Sequence, residues 1–318
     1  MIVRISLILC CLNLYAYSQS ARMEQVRGLY ESKKYLEIIR LLEPIAEEDK
    51  DYPEARYYLG RVAFDQKKYS DAADYFEEAT EANDKVADYF NWLGNTYGTI
   101  AQDANVIKQG MLAPKMKTAW ERAIALDPQN IGARFSLIQY YTKAPGFMGG
   151  SFDKAREVAN QIMKMNPVQG HFQMGNIYVS EKKVNEAERE FIEMVRIDPA
   201  YTSTLANFYV NQKQYDKAFN LLEAAINKNP EDFLTIYQLG RTSAITGQRM
   251  DRGEGCLKRY LAYSPRQNEP SHAGANMRLA QICEKRGNKV EAKKLFEAAL
   301  KLDANLKEAQ EGLQRTSK

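Results

Sequence analysis

Histidine, cysteine and tryptophan are scarce in this sequence, and neither sign of charge dominates it. Two of the 318 residues are histidine, four are cysteine and two are tryptophan. So small a supply of ligands and nucleophiles disfavours a metal centre or a catalytic site built on those residues. Lysine and arginine number 44 against 41 aspartates and glutamates, a net charge of +3. That balance is too even for the basic surface that binding to nucleic-acid phosphates requires.

Long apolar runs are also missing, which excludes a protein that crosses a membrane many times. Hydrophobic residues make up 45% of the chain and charged residues 27%, the composition of a soluble, folded protein. The length suggests about two domains, unless the chain is built from repeats.

The first eighteen residues are predicted to be a signal peptide. Arg4 precedes the apolar run Ile5–Tyr15, and small residues stand at Ala16 and Ser18, the pattern that a signal peptidase reads. We expect cleavage after Ser18 and an exported mature chain, in the periplasm rather than secreted or membrane-associated. A retained signal anchor and a lipid on Cys10 or Cys11 are the weaker alternatives, because the run is short and no small residue precedes either cysteine.

Two cysteines, Cys256 and Cys283, remain in the mature chain. In an oxidising compartment an even pair can form a disulfide. The other interpretation is two small buried hydrophobic residues, the usual role of a free cysteine. Because a disulfide needs the two Cα atoms about 4.4–6.8 Å apart, sequence alone does not choose between them.

Internal repeats organise most of the chain. The triplet Lys33-Lys34-Tyr35 recurs at Lys67-Lys68-Tyr69, and Leu59-Gly60 recurs at Leu93-Gly94, each 34 residues further on. The stripe Ala72-x-x-x-Phe76-x-x-Ala79 returns at Ala187, with Phe191, and at Ala292, with Phe296 and Ala299. Residues three and four apart share one helix face, so each stripe predicts a buried helix line of small and large side chains.

Glycines and lysines mark the two helices of each repeat. Gly60, Gly94, Gly175 and Gly240 fall within predicted first helices, where glycine costs about 1 kcal/mol, so close packing of the paired helix is expected as compensation. The paired lysines, including Lys182-Lys183, are predicted to occupy the turn between the two helices. We interpret them as solvated helix ends rather than as a basic stripe for lipid or nucleic acid.

The segment Phe90-x-x-Leu93-Gly94-x-x-Tyr97, repeated with substitutions at His171-x-x-Met174-Gly175-x-x-Tyr178, resembles the tetratricopeptide repeat family. The resemblance extends over nearly all of residues 19–318. It implies an all-α fold, a right-handed α-solenoid of about eight helix-turn-helix repeats with a polar C-terminal capping helix at 307–318. The repeats are predicted to start near residues 19, 53, 87, 131, 168, 199, 233 and 273.

Two segments depart from the repeat length. About ten extra residues lie around Ile100–Lys115 and are expected to lengthen the connection between two helices, on a face that is often functional. The second segment is Ala144–Ser151. It lacks the Gly-Lys-Ser/Thr of a phosphate loop. It is interpreted either as an elongated turn whose glycines relieve strain, or as a lip over the groove with Phe147 and Met148 as exposed contacts.

The resemblance also implies a concave groove, lined by first helices, that binds peptides or protein partners. In the register above, the residues expected to face it are Tyr57, Arg61, Phe64, Asn91, Asn95, Phe135, Gln139, Phe172, Asn176, Asn207, Tyr237, Arg241, Met277 and Gln281. Amide side chains donate and accept hydrogen bonds at once, which suits the backbone of an extended peptide, and aromatic side chains supply anchor pockets.

The sequence therefore predicts a non-catalytic scaffold for protein–protein interaction, with no cofactor and no metal. His171 is expected to pack within a helix pair and His272 to lie in a loop, and neither has ligand spacing. The alternative is a structural or assembly subunit of a cell-envelope complex that docks through its convex face or terminal repeats. A carbohydrate or small-ligand binder, or an enzyme, would need a deep closed pocket near 100–115 or 144–151.

Overall fold

The computed structural model describes residues 20–317. The predicted signal peptide, with Cys10 and Cys11, lies outside this range, so export stays a prediction. Within 20–317 no helix combines the length and the apolar character needed to cross a bilayer.

Helices account for almost all of the regular structure, and the described residues contain no strand. The α-helices are α1 (Ala21–Glu31), α2 (Tyr35–Leu42), α3 (Tyr52–Asp65), α4 (Tyr69–Ala82), α5 (Ala87–Gln102), α6 (Val106–Leu126), α7 (Ile131–Lys143), α8 (Phe152–Met165), α9 (Pro167–Ser180), α10 (Val184–Ile197), α11 (Thr202–Asn211), α12 (Tyr215–Lys228), α13 (Phe233–Thr246), α14 (Met250–Leu261), α15 (His272–Lys285), α16 (Lys289–Leu302) and α17 (Lys307–Thr316). Short 3-10 helices lie at Gly146–Met148 and Pro199–Tyr201. The predicted all-helical fold of stacked hairpins is confirmed.

The described chain divides into two compact units, with the boundary between Val158 and Ala159 inside α8. In the N-terminal unit, α3 pairs with α4 and α5 with α6, and α4 packs on α5. In the C-terminal unit the pairs are α9 with α10, α11 with α12, α13 with α14 and α15 with α16. The last helix, α17, packs on α16 and occupies the place of the predicted capping helix.

The glycines within first helices admit a large side chain from the paired helix, as predicted. A Cβ on Gly60 would lie 2.7 Å from the ring of Phe76, and one on Gly175 would lie 2.7 Å from the ring of Phe191. Both rings are buried. The conformational cost of glycine in a helix is therefore offset by ring packing that no other residue allows.

Lysine occupies a left-handed backbone position in the turns between paired helices. Lys33, Lys67, Lys182 and Lys213 have φ between 55° and 62°. In the α3–α4 turn, the Lys67 N–H donates to the Phe64 carbonyl at 2.8 Å and the Lys68 N–H to the Ala63 carbonyl at 2.9 Å. These bonds satisfy carbonyls that the end of α3 would otherwise leave unpaired. The turn thus requires a residue with positive φ, a conformation that glycine adopts at the lowest cost, as at Gly287 with φ 79°.

Replacing Lys67 by glycine is expected to raise the free energy of unfolding by about 0.5–1 kcal/mol, because glycine removes the Cβ strain of the left-handed conformation. Lys68 is the matched control, since it is also exposed but has φ −87°. Lys68→Gly should give no gain or a loss of about 0.5–1 kcal/mol. Urea unfolding followed by circular dichroism measures both variants, and equal effects would refute the argument.

The two cysteines are free thiols, so the disulfide alternative was wrong for this structure. Cys256 is buried with Phe219 and Ile236, whereas Cys283 packs at the edge of a different cluster, around Met277 and Phe296. Burial raises the pKa of both thiols, which keeps them protonated and weakly nucleophilic. Cys256 therefore fits the second interpretation, a small buried hydrophobic residue.

Candidate functional site: a cleft beside the long helix α6

The extra residues around 100–115 lengthen a helix and not the connection, so that expectation was wrong. Only Asp103–Asn105 separate α5 from α6, and α6 is 21 residues long. The Asn105 side chain caps α6 by accepting a hydrogen bond from the Lys108 N–H at 2.9 Å, which starts the helix early. The apolar side chains of Leu112 and Ala113 are buried, so packing favours helix over loop.

The lengthened helix forms one wall of a cleft in the N-terminal unit. The cleft has a volume of about 490 Å³, within the usual range for a site that holds a small ligand or a group of side chains. Its walls come from α5, α6, α7 and the segment after α7. The lining residues are Asn95, Gly98, Thr99, Ala101, Gln102, Gln109, Ala113, Met116, Trp120, Ser136, Gln139, Tyr140, Lys143, Ala144, Pro145 and Met148.

Asn95 ties the three helices of the cleft together. Its side-chain oxygen accepts hydrogen bonds from the indole N–H of Trp120 at 2.9 Å and from the Ser136 hydroxyl at 3.0 Å. A Cβ on Gly94 would lie 2.6 Å from the same indole nitrogen, so glycine is what admits the ring. The side-chain oxygen of Asn95 therefore holds α5, α6 and α7 together. The same hydrogen bond fixes the orientation of the indole in the cleft lining.

The segment Ala144–Ser151 forms the other edge of the cleft. The Tyr140 hydroxyl donates to the Met148 carbonyl, and the Ser151 N–H donates to the Tyr141 carbonyl at 2.8 Å. Gly149 has φ 93°. Burial raises the pKa of Tyr140, which keeps its hydroxyl a donor. The segment is therefore a turn in which Gly149 adopts a left-handed backbone conformation. It also places Met148 in the cleft lining and leaves Phe147 exposed.

Charge at the cleft is positive. Lys143 is the charged residue of the lining, which contains no carboxylate. The remaining polar groups are amides and hydroxyls, and apolar surface comes from Met116, Trp120 and Met148. Such a lining can bind an apolar group by burial and fix its polar flanks by hydrogen bonds.

Among the predicted groove residues of the N-terminal unit, Asn95 and Gln139 meet in this cleft, and the others do not line it. Tyr57 is buried with its ring 5.0 Å from that of Tyr89. Arg61 stacks over Tyr30 at 4.2 Å and over Trp92 at 4.9 Å, and Phe64 packs edge-on to Trp92. These three side chains act mainly in packing.

Asn91 and Phe135 are half-buried. The Asn91 side-chain oxygen is buried and has no hydrogen-bond partner among the described residues.

In the C-terminal unit the predicted groove residues are also engaged with their neighbours. Asn207 accepts hydrogen bonds from Gln238 at 2.6 Å and from Arg241 at 2.8 Å. Burial lowers the pKa of Arg241, as does the nearby charge of Arg278. The ring of Phe172 lies 6.4 Å from that of Phe191, and Asn176 is half-buried.

Three further predicted positions lie on α13 and α15. Tyr237 and Met277 are buried. Gln281 donates a hydrogen bond to Glu308 at 3.2 Å. Buried positions such as these contribute to the core and present little surface to a partner.

Both histidines have structural partners. His171 Nδ1 lies 2.7 Å from a carboxylate oxygen of Glu190 on the paired helix. His272 begins α15 instead of lying in a loop, because Ser271 caps that helix, and its Nε2 lies 2.8 Å from the Tyr263 carbonyl oxygen. In the range 20–317 no three potential metal ligands cluster.

Sequence reasoning missed several cleft residues, among them Gln109, Met116, Trp120 and Tyr140. Trp120 had a signal, since it stands where the repeat places its large second-helix side chain, but that position indicated packing alone. Gln109 lies in the segment that was expected to be a longer connection, and Met116 follows that segment directly.

Comparisons with known proteins agree with the geometry. Tetratricopeptide repeat family models match residues 29–93 and 242–306, one in each compact unit. Both matched segments therefore carry tetratricopeptide repeats. A tetratricopeptide repeat protein of Parabacteroides merdae shares the fold of this chain, with a TM-score of 0.50, 13% identity, and 93% of this chain and 98% of that one covered.

Two further similarities of this chain are more limited. A protein of Thermus thermophilus gives a TM-score of 0.40 at 19% identity, covering 60% of this chain and 98% of that one. The peroxisomal targeting signal receptor of Yarrowia lipolytica is 26% identical over 187 residues, which is 56% of this chain. The matched region spans only 29% of the length of that receptor.

Proposed function

We propose that this protein is a non-catalytic scaffold that binds a segment of a protein partner, and that the cleft beside α6 holds part of that segment. The observation that carries the proposal is the convergence of both irregular segments with two inward repeat positions, Asn95 and Gln139, on one cleft. A receptor for a targeting signal among the similar proteins supports a peptide as the ligand class.

The cleft offers both the polar and the apolar contacts that a bound peptide needs. Gln102 and Gln139 are exposed at its opening, where each amide can both donate hydrogen bonds to a peptide backbone and accept them from it. Below them, the half-buried side chains of Met116 and Met148 present apolar surface to a large side chain. With Lys143 as its charged group, the cleft offers no acid–base pair, so the proposal assigns it binding and no chemistry.

Blocking the opening of the cleft at Gln139 tests this proposal. Gln139→Trp would place an indole across the cleft, and Lys85→Trp is the control because Lys85 is exposed in the same unit and outside the cleft. We expect Gln139→Trp to lower retention of partner proteins from extracts of the producing cells by about tenfold or more, a change of about 1.4 kcal/mol, while Lys85→Trp retains them. Quantitative mass spectrometry of the eluates, with circular dichroism to verify folding, makes the comparison. Equal retention by both variants would rule out the cleft.

An assembly role is the second candidate, because large apolar side chains are exposed beside the cleft. In that case the purified mature chain would self-associate, and Ile107→Asp would return it to a monomer. Light scattering at tens of micromolar protein decides this, since a monomeric wild type removes the case for self-assembly. Placement of either function in the cell envelope rests on the predicted N-terminal signal.

A further inference from the structure

An exposed apolar surface borders the cleft. Val106, Ile107 and Met111 on α6 are 64%, 77% and 69% exposed, and Phe147 in the segment after α7 is 81% exposed. We call these four residues the apolar rim. Single exposed apolar residues are ordinary, but a group of large ones next to a concave site marks an interaction surface.

The two parts of the apolar rim come from elements that touch. The 3-10 helix Gly146–Met148 contacts α6, and the terminal methyl of Met148 lies 3.8 Å from the Cβ position of Gly110. Ile107 and Met111 are four residues apart and therefore share one face of α6. Since Met148 also lines the cleft, apolar surface continues from the cleft to the rim.

The two chain segments that form this surface carry basic residues only, with Asp103 just before the first of them. Residues 104–120 and 128–151 contain no aspartate or glutamate, and together they carry three lysines in the first range and Arg134 and Lys143 in the second. Lys115 is paired with Glu77 at 3.1 Å and Lys117 with Glu121 at 3.5 Å.

Two exposed lysines remain at this surface, Lys108 on the α6 segment of the rim and Lys143 in the cleft lining. Neither forms an ion pair with any described residue. Their charges stand where a partner's carboxylates could meet them.

We propose that the cleft and the apolar rim bind a peptide segment in which large apolar side chains are flanked by acidic residues. This inference rests on the proposed function and names the partner's chemistry. One apolar side chain enters the cleft of about 490 Å³, others cover the rim, and the acidic flanks meet Lys108 and Lys143. A concave, amide-bordered cleft favours a peptide over a lipid surface, because a flat bilayer leaves such a cleft empty.

Selection from a random library of phage-displayed dodecapeptides tests the chemistry directly. The library is panned on the full chain and counter-selected on Gln139→Trp. We expect the retained peptides to be enriched in Phe, Leu, Trp or Met together with Asp and Glu, and depleted in Lys and Arg. The best peptide is then measured by fluorescence anisotropy at about 0.05 M and about 0.5 M salt, and it should bind more weakly at high salt because its charge contacts are screened.

Charge-reversal variants supply the second readout. Lys108→Glu with Lys143→Glu should weaken the selected peptide by about tenfold or more, the effect of about 1.4 kcal/mol. The same variant should accept a copy of the peptide with Lys for each Asp and Glu. Lys50→Glu with Lys85→Glu is the matched control, because both lysines are exposed in the same unit and neither lines the cleft, and it should bind like the wild type.

The outcomes separate this inference from the proposed function. Peptides that need the open cleft but show no acidic bias would overturn the inference and leave the proposed function standing. No enrichment over Gln139→Trp would overturn both. Binding of the chain to phosphatidylglycerol vesicles that disappears in Phe147→Ser, with no peptide selected, would also overturn both and assign the rim to a lipid surface.

Discussion

Replacing Trp120 by alanine is expected to lower the free energy of unfolding by about 3–5 kcal/mol, the usual cost of removing a buried indole. Trp120 is only 4% exposed. Its ring fills the space above Gly94 and lies 6.4 Å from the ring of Tyr140. The substitution also leaves the Asn95 oxygen with the Ser136 hydroxyl as its one remaining donor among those described.

A second substitution separates the ring from its hydrogen bond. Trp120→Phe keeps most of the apolar volume and deletes the N–H donor, so we expect a loss of about 1–2 kcal/mol. Gln139→Ala is the control, because Gln139 is exposed in the same cleft and should change stability by no more than about 0.5 kcal/mol. Urea unfolding followed by circular dichroism measures all three. If Trp120→Ala lowered the free energy of unfolding no more than Gln139→Ala, the indole would not be a main packing contact between α5, α6 and α7.

The stability of Trp120→Ala also bears on binding. Without the indole, the helices that form the cleft lose the side chain that packs between them, so the variant should bind the selected peptide more weakly even where it remains folded. Binding is therefore compared at a temperature well below the unfolding transition of the variant.

Gly170→Ala is expected to lower the free energy of unfolding by about 1–3 kcal/mol, although alanine is the better helix former. A Cβ on Gly170 would lie 2.7 Å from the backbone nitrogen of Met163 and closer still to its Cα. Backbone atoms cannot turn away as the end of a side chain can, so α8 and α9 must separate.

Gly255→Ala provides the opposite expectation for the same chemical change. Gly255 lies inside α14 with nothing within 4 Å of its Cβ position, so alanine should raise the free energy of unfolding by about 0.5–1 kcal/mol. Both glycines belong to the C-terminal unit, which contains neither tryptophan. Far-ultraviolet circular dichroism is therefore the suitable probe. A shift of the same sign in the two variants would contradict the close approach of α8 and α9.

The helical repeat was readable from the sequence because its signals are local. A ring such as Phe76 and a glycine such as Gly60 recur at fixed spacings, and their packing partner is the neighbouring helix of the same hairpin. The structure confirms that contact. The lysine turns follow for the same reason, since a left-handed residue between two helices is a property of a few consecutive residues.

The cleft was not readable in the same way. The segment 100–115 has no repeat counterpart, and its state depended on the Asn105 cap and on the burial of Leu112, which tertiary contacts decide. Asn95 and Asn207 were correctly placed on first helices. Their hydrogen-bond partners come from other helices, so sequence spacing did not reveal that their oxygens are already occupied.

The order of the amino acids alone determined that this protein is a series of helical hairpins, because side-chain period, glycine placement and turn chemistry act over a few residues. Only the tertiary structure decided that an irregular helix and an irregular turn meet at one positively charged cleft, and that the two cysteines face different clusters. Those outcomes depend on which surfaces approach each other in space, and packing across helices sets that approach.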